Sequence, residues 1–404
     1  MQWLQTRWTR TAWGVGVGGR EVKRSLVIGA LLLTWLAACS PVPTPSPAAP
    51  TPAPDEGGTQ AETITASPEL PAPPSPTLPA STAIAATWEH LNLTGQLVFI
   101  MAAQDPQNPA GFTPAIVRLD LASGALTTIF EAPANAWVTA ASVSPDGKQM
   151  LMAYAPPPEP GQVQFGYTGL YSLPTDGTVA PQALLDHDAQ NEAYFHPSWS
   201  PDGHYIYYAH FNLVEDSDGF LIPLYGVERL PYPGGHPERI VGSAYWPRLS
   251  SDSSKLAYVS LDPVSYTNTL MVADADGQRP FSVALPETFI VDAALFSPDG
   301  EFIVFSAADM GAPPPQSWLD SLFGVQVAEA HNVPSDWFRI PVSGGQPERL
   351  TEIGESGLYA DFSPDGRRMA FVSLGGLFVL DPDSKELSLL VPNLGGYGTV
   401  DWIP

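Results

Sequence analysis

Two aspartates, an arginine, a histidine and two large aromatic residues share a spacing that would gather them around one axis. The chain repeats a short phrase, Ser-Pro-Asp-Gly followed by an alternating apolar run, and these residues stand just ahead of it. Two places before the phrase serine come Ser142, Ser198, Arg248, Leu295 and Asp361, with Asp401 in an incomplete copy. Four places before it come Ala140, His196, Trp246, Ala293, Tyr359 and Thr399. The two-residue period of a strand puts both sets on one side, and the mixture is more polar and aromatic than plain packing needs. The spacing therefore predicts a channel lined by His196, Trp246, Arg248, Tyr359, Asp361 and Asp401, directed toward a loop-rich face where Asp292 joins it. Such groups either bond to one another between repeats or bind a small ligand or a peptide terminus.

Other chemistry is thinly signalled. His187, His196, His204 and His210 fall close together with Asp186, Asp188 and Glu192 nearby, but none has the spacing of H-E-x-x-H or of paired zinc ligands. Scattered loop and strand histidines are the expectation. Asp216-Ser217-Asp218-Gly219 and Asp274-Ala275-Asp276-Gly277 each resemble part of a calcium loop and lack its closing glutamate. Asp216 and Asp218 are thus weak metal candidates, with calcium the ion, and no other cofactor is expected. No G-x-S-x-G elbow occurs. Spacing alone does not single out a carboxylate pair among 42 acidic residues, so no catalytic residue is assigned.

The elements that must position these residues follow from the phrase. It occurs at Ser144–Met152, Ser200–Tyr208, Ser297–Phe305 and Ser363–Phe371, and in degenerate form at Ser250–Tyr258, where Ser251-Asp252-Ser253 replaces Pro-Asp-Gly. Its aspartates, Asp146, Asp202, Asp252, Asp299 and Asp365, lie 56, 50, 47 and 66 residues apart. A period near fifty marks a supersecondary unit that cannot bury its apolar faces alone. Pro presets φ, Asp bonds the backbone two residues on and Gly accepts positive φ, so each phrase reads as a hairpin turn. A second strand–turn–strand unit recurs six times, from Ile116–Phe130 to Leu377–Val391. Two hairpins make a four-stranded antiparallel blade, and six of them predict an all-β, six-bladed β-propeller. The sixth phrase is split between the chain ends: Val400–Pro404 supplies its first strand and Gly95–Phe99 its second. Pairing of the N- and C-terminal strands then closes the ring and leaves no open edge.

In such blades the first-to-second and third-to-fourth turns share one face, and here they are short and alike. Length variation falls in the second-to-third loops, Ala102–Pro114, Ala155–Thr168, Phe211–Leu224, Asp262–Asn268 and Ala307–Asp336, all on the other face. Variable loops on a rigid scaffold are where binding concentrates. In the longest loop, Trp318 belongs to a candidate amphipathic helix that either lids the ring or meets a partner.

The Trp/Phe-Ser-Pro-Asp-Gly phrase with its alternating strand resembles the TolB-type propeller repeat, a relative of WD-type repeats, over roughly residues 90–404. The phrase also occurs in the propeller of prolyl-oligopeptidase-like enzymes, whose catalytic serine resides on a separate domain. The TolB likeness implies protein binding at the cell envelope.

The N-terminal segment points to the same compartment. Arg7, Arg10, Arg20, Lys23 and Arg24 precede the apolar run Leu26–Ala38, which is too short to span a membrane comfortably. Leu36-Ala37-Ala38-Cys39 resembles the bacterial lipobox, which implies lipidation of Cys39, the sole cysteine. Residues 1–38 read as a lipoprotein signal peptide, 39–87 as a disordered tether rich in Pro, Ser and Thr, and 88–404 as the propeller. The formal charge of −25 becomes −29 once five basic residues and one acidic residue of the signal are removed. So acidic a body disfavours nucleic acid as a partner. The sequence thus predicts a lipid-anchored, extracytoplasmic propeller on a bacterial membrane that binds a protein, peptide or glycan through its loop-rich face. A hydrolase or lyase with a carboxylate or metal site at the channel mouth is the alternative.

Overall fold

The phrase turns are built by one repeated set of bonds. In each, the phrase serine donates its hydroxyl to the phrase aspartate, as Ser200 Oγ does to Asp202 Oδ1 at 2.6 Å. The same hydroxyl accepts the N–H five residues on, Tyr205 at 2.9 Å, while Asp202 Oδ1 accepts the N–H of His204 at 3.0 Å. Ser144/Asp146, Ser250/Asp252, Ser297/Asp299 and Ser363/Asp365 repeat the arrangement. These bonds hold the five aspartates below the ordinary carboxylate range, the serine hydroxyl first and the backbone N–H next. Gly147, Gly203, Gly300 and Gly366 take φ between 71° and 73°, and Ser253 of the degenerate copy holds the same left-handed conformation at 59°.

The computed structural model describes residues 82–83, 87–105, 108–159, 167–186, 192–215, 219, 221–262, 267–311, 333–394 and 398–404. Blade one contains β1 (Thr82–Ala83), β2 (Gln96–Asp105), β3 (Asn108–Asp120) and β4 (Ala125–Glu131). Blade two contains β5 (Trp137–Val143), β6 (Gln149–Ala155), β7 (Gly169–Pro174) and β8 (Gln182–Leu185). Blade three contains β9 (Glu192–Trp199), β10 (Tyr205–Glu215), β11 (Leu221–Pro231) and β12 (Glu238–Gly242). Blade four contains β13 (Ala244–Leu249), β14 (Lys255–Leu261), β15 (Asn268–Asp274) and β16 (Phe281–Ser282). Blade five contains β17 (Phe289–Phe296), β18 (Phe302–Asp309), β19 (Asp336–Pro341) and β20 (Glu348–Arg349). Blade six contains β21 (Tyr359–Phe362), β22 (Met369–Ser373), β23 (Gly376–Leu380) and β24 (Leu387–Pro392). The last strand, β25 (Val400–Ile403), returns to blade one as its innermost strand, pairing Leu97 with Trp402 and Phe99 with Val400. The expected split blade and the six-bladed ring are both present.

Blade one also gains β1 as a fifth strand, set against β4 with Thr82 opposite Leu126, which the repeat did not foretell. Trp88, only 2% exposed, begins the packed ring and donates its indole N–H to Leu121 O at 2.9 Å.

Core residues lie between blades rather than within them, because each strand turns alternate side chains to its two neighbours. Val98, Ile100 and Ile116 of blade one meet Val138, Met150 and Met152 of blade two. Tyr207 and Val227 of blade three likewise meet Ala244, Leu256 and Tyr258 of blade four. The ring fixes the inner strands β5, β9, β13, β17, β21 and β25 around a central channel.

Candidate functional site

At the level four residues before the phrase, the channel is closed by aromatic side chains. Trp246 of blade four stacks on Tyr359 of blade six, with centroids 4.7 Å apart and planes 22° from parallel. His196 of blade three sits edge-on to Trp246 at 4.5 Å and lies 6.3 Å from Tyr359. Rings from blades three, four and six touch only if they meet at the axis. A local irregularity brings two of them there. β9 and β13 each carry a bulge at this level, and their residues His196 and Trp246 have φ of 51° and 57°. Left-handed backbone is costly for large side chains and clusters where a side chain must be re-aimed. The Trp246 indole N–H is satisfied by Ala294 O at 3.0 Å.

Two residues nearer the phrase turns lies a charged level. Arg248 lays its guanidinium over the Trp246 ring at 4.5 Å and donates from Nη1 to Pro247 O at 3.0 Å. Asp361 and Asp401 come from the neighbouring strands β21 and β25, and each is tied to the next blade. Asp361 Oδ2 accepts the N–H of Trp402 at 2.8 Å, and its Oδ1 accepts the N–H of Phe362 at 2.9 Å. Asp401 Oδ2 accepts the N–H of Val143. Enclosure in the channel raises both carboxyls, against those backbone bonds and the pull of Arg248; the charge of Asp361 raises Asp401 further. The same enclosure lowers Arg248, outweighing the attraction of Asp401 and Asp361. The charged level thus lies on the phrase-turn side of the aromatic layer, as its place two residues before the phrase serine requires.

The remaining candidates are dispersed. Asp292, 4% exposed, is the bulge residue of β17 and stands near Tyr245, whose phenol is raised by burial and by that carboxylate. Trp318, Asp216, Asp218 and Cys39 lie outside the described residues. In the second calcium-like stretch, Asp274 accepts from Lys255 Nζ at 2.8 Å and from Arg279, while Asp276 accepts the N–H of Gln278 at 3.0 Å. That stretch is a hairpin turn. Among the described residues, no three His, Cys, Asp or Glu side chains are grouped so as to hold a metal ion.

Of the crowded histidines, His210 joins Glu192 in a polar cluster whose other members were not foreseen. His210 on β10 is held between Glu192 on β9, 2.7 Å from Nε2, and Glu228 on β11, 2.8 Å from Nδ1. Tyr208 donates to Glu228 at 3.1 Å, Arg239 on β12 bonds the same carboxylate at 3.1 Å, and Tyr194 stacks on the imidazole at 4.6 Å. Burial alone would lower His210, but hydrogen bonds and charge from Glu228 and then Glu192 hold it above the ordinary imidazole value. A Cβ at residue 226 would lie 2.8 Å from Arg239 Nε, so Gly226 leaves room for the guanidinium. The cluster crosses all four strands of blade three. Alternation put Tyr208 and His210 on one face of β10, but only the register with β11 reveals Glu228 as their partner.

Above this cluster, β10 and β11 stay paired to Glu215↔Leu221, eleven residues each, where the second strands of blades two, four, five and six have five to eight. The hairpin therefore reaches beyond those of blades two, four, five and six by at least three residues, about 10 Å, and blade one, whose β2 has ten residues, approaches its length. Leu221, Ile222 and Leu224 near its tip are exposed, Leu221 at 57%. Trp137, Met310 and Leu374 are exposed on the same loop-rich face. Six of the nine exposed large apolar side chains among the described residues thus share one face, and only Val179 lies in a turn on the other. Among the described residues no helix is long and apolar enough to cross a membrane.

No family model matches the chain, and no curated protein matches its sequence. Solved structures do. A putative TolB from Agrobacterium tumefaciens is 18% identical, with a TM-score of 0.49 over 77% of this chain and 99% of that one. TolB from Acinetobacter baumannii is 14% identical, with a TM-score of 0.48 over 77% of this chain and 67% of that one. A chain of a nidogen/laminin complex is 10% identical, with a TM-score of 0.50 over 76% of this chain and 97% of that one. The likeness is one of fold.

Proposed function

We propose that the protein is a binding or scaffold module: a propeller anchored through lipid on Cys39, held off the outer surface of a bacterial membrane by its Pro-rich tether, which takes a protein, peptide or glycan partner on its loop-rich face. The observation that carries this reading is the gathering of exposed apolar side chains on that face, with Leu221, Ile222 and Leu224 near the tip of the long β10–β11 hairpin. Covering the exposed part of each such side chain, about half of it, offers a partner about 1 kcal/mol apiece. Apolar patches of this kind mark interaction surfaces. The phrase-turn face, by contrast, spends its serines and aspartates on its own turns.

Photo-crosslinking in intact cells tests the assignment. A crosslinking residue at Leu221, Leu224 or Leu374 is expected to capture a partner, and one at Val179 is not. Capture at Val179 alone would place the partner on the wrong face for this reading. The anchor is tested separately. Cys39→Ser is expected to release the protein from membranes, and a signal-cleaved Cys39→Ser form that stays with the membrane would overturn it.

A further inference from the structure

The charged level of the channel holds a cation and a carboxyl pair that face one another without touching. Arg248 comes within ion-pair distance of no carboxylate among the described residues, although Asp361 and Asp401 both act on it electrostatically. Its planar guanidinium has five donors, and Pro247 O takes one of them. The Trp246 ring stacked against it fixes the plane of the fork, an arrangement suited to a carboxylate. Opposite, Asp361 and Asp401 are positioned by backbone N–H groups of their own and the following blade, and the Ser142 side chain also bonds Asp401. All three charged side chains remain partly exposed, whereas Trp246 and Tyr359 above them are 2% and 5% exposed. The charged level thus lies beneath an aromatic roof and is less enclosed than that roof.

We infer that this cup binds a small zwitterion, an amino acid or short peptide carrying both a free carboxylate and a free ammonium group, with the carboxylate on Arg248 and the ammonium on the Asp361–Asp401 pair. Charge balance excludes the simpler ligands. A lone anion bound to Arg248 would face two carboxyl groups, and a lone cation bound to the aspartates would face a guanidinium. A dipolar ligand adds no net charge and meets both ends with the right sign. The tight inner strands and the roof of Trp246 and Tyr359 limit the ligand to a small molecule or a chain terminus entering from the phrase-turn side. This site is separate from the loop-rich face and stands or falls independently of the partner proposed there.

Titration calorimetry on the full mature lipoprotein in detergent tests it, with glycine, β-alanine, γ-aminobutyrate and diglycine as probes beside acetate and methylammonium. At least one zwitterion is expected to bind tenfold or more tightly than either singly charged probe, roughly the worth of one charge-assisted contact. Arg248→Gln should weaken that ligand by about tenfold or more, and Arg248→Lys, which keeps charge without the fork, by less. Replacing Leu221 and Leu224 by Ser should leave it unchanged. Acetate binding as tightly as the best zwitterion would reduce the cup to an anion site, methylammonium doing so would reduce it to a cation site, and no binding by roughly 10 mM would remove it; each result overturns the proposal. The probe series on the unmodified protein decides the matter even where an Arg248 variant folds poorly.

Discussion

Trp246 and Tyr359 stack 4.7 Å apart although blade five stands between their own blades in the ring. The contact ties two non-adjacent blades through the channel itself. Trp246→Ala is expected to lower stability by about 3–5 kcal/mol, as for other buried large-to-small changes. Trp246→Phe should cost less, since it keeps a ring for Tyr359 and loses the bond to Ala294 O. Chemical denaturation of both variants measures the difference; equal losses would mean that the stack contributes little.

The phrase turns give an order of effects. Ser200 both donates to Asp202 and accepts from Tyr205, and it is 2% exposed, whereas Asp202 is more accessible. Ser200→Ala should therefore cost about 1–3 kcal/mol and Asp202→Ala about 0.5–1.5 kcal/mol. Ser253→Gly, at the one phrase turn that forces a larger residue to positive φ, should be neutral or gain up to about 1 kcal/mol. Denaturant midpoints of the three variants test this ranking.

That ranking depends on chemistry the sequence displays openly. Pro, Asp and Gly state their turn by local bonding, so the blade count, the turn geometry and the seam between Phe99 and Val400 were all legible from the repeat. Period two also grouped His196, Trp246 and Tyr359, whose rings meet in the channel, and Arg248, which lies over Trp246. What it did not carry was depth. The bulges at His196 and Trp246 depend on how β9 and β13 pair with their neighbours, and they separate the aromatic level from the charged one. The His210 cluster was hidden for a related reason: Glu192 and Glu228 are each 18 residues from it in sequence, and only strand register brings them together.

The acid pair in the channel sets a pH dependence of definite sign. Asp361 and Asp401 are raised above their ordinary 3.8, so their protonated forms favour the fold. That contribution is complete below 3.8 and is lost as pH rises through the raised values. Asp401→Asn keeps an acceptor for the Val143 N–H without the charge. Its melting temperature relative to the parent is expected to rise from pH 4 to pH 8; a constant difference would contradict the raised carboxyl. The turn aspartates act oppositely, since their lowered values give stability that is present above 3.8 and lost as pH falls through the folded values.

His210 joins three strands of blade three through Glu192 and Glu228. His210→Ala should cost about 2–4 kcal/mol, because Glu192 loses a partner and Glu228 retains only Arg239 and Tyr208. The raised imidazole adds stability that is full below its ordinary 6.5 and fades as pH climbs through the folded value. The loss on substitution should therefore be larger at pH 6 than at pH 9, as thermal melts at the two values would show.

The central claim, that partners meet the loop-rich face, is tested most directly by quantitative capture from native membranes with the lipoprotein as bait. The variant carrying Leu221→Ser, Ile222→Ser and Leu224→Ser is compared with Val179→Ser and with the unmodified protein. Since these side chains lie at the surface of the free protein, each change should cost the fold little, which a thermal melt of each variant checks. The account predicts that the triple variant loses a specifically captured partner at least tenfold while Val179→Ser retains it. Full retention by the triple variant, with loss in Val179→Ser, would contradict it.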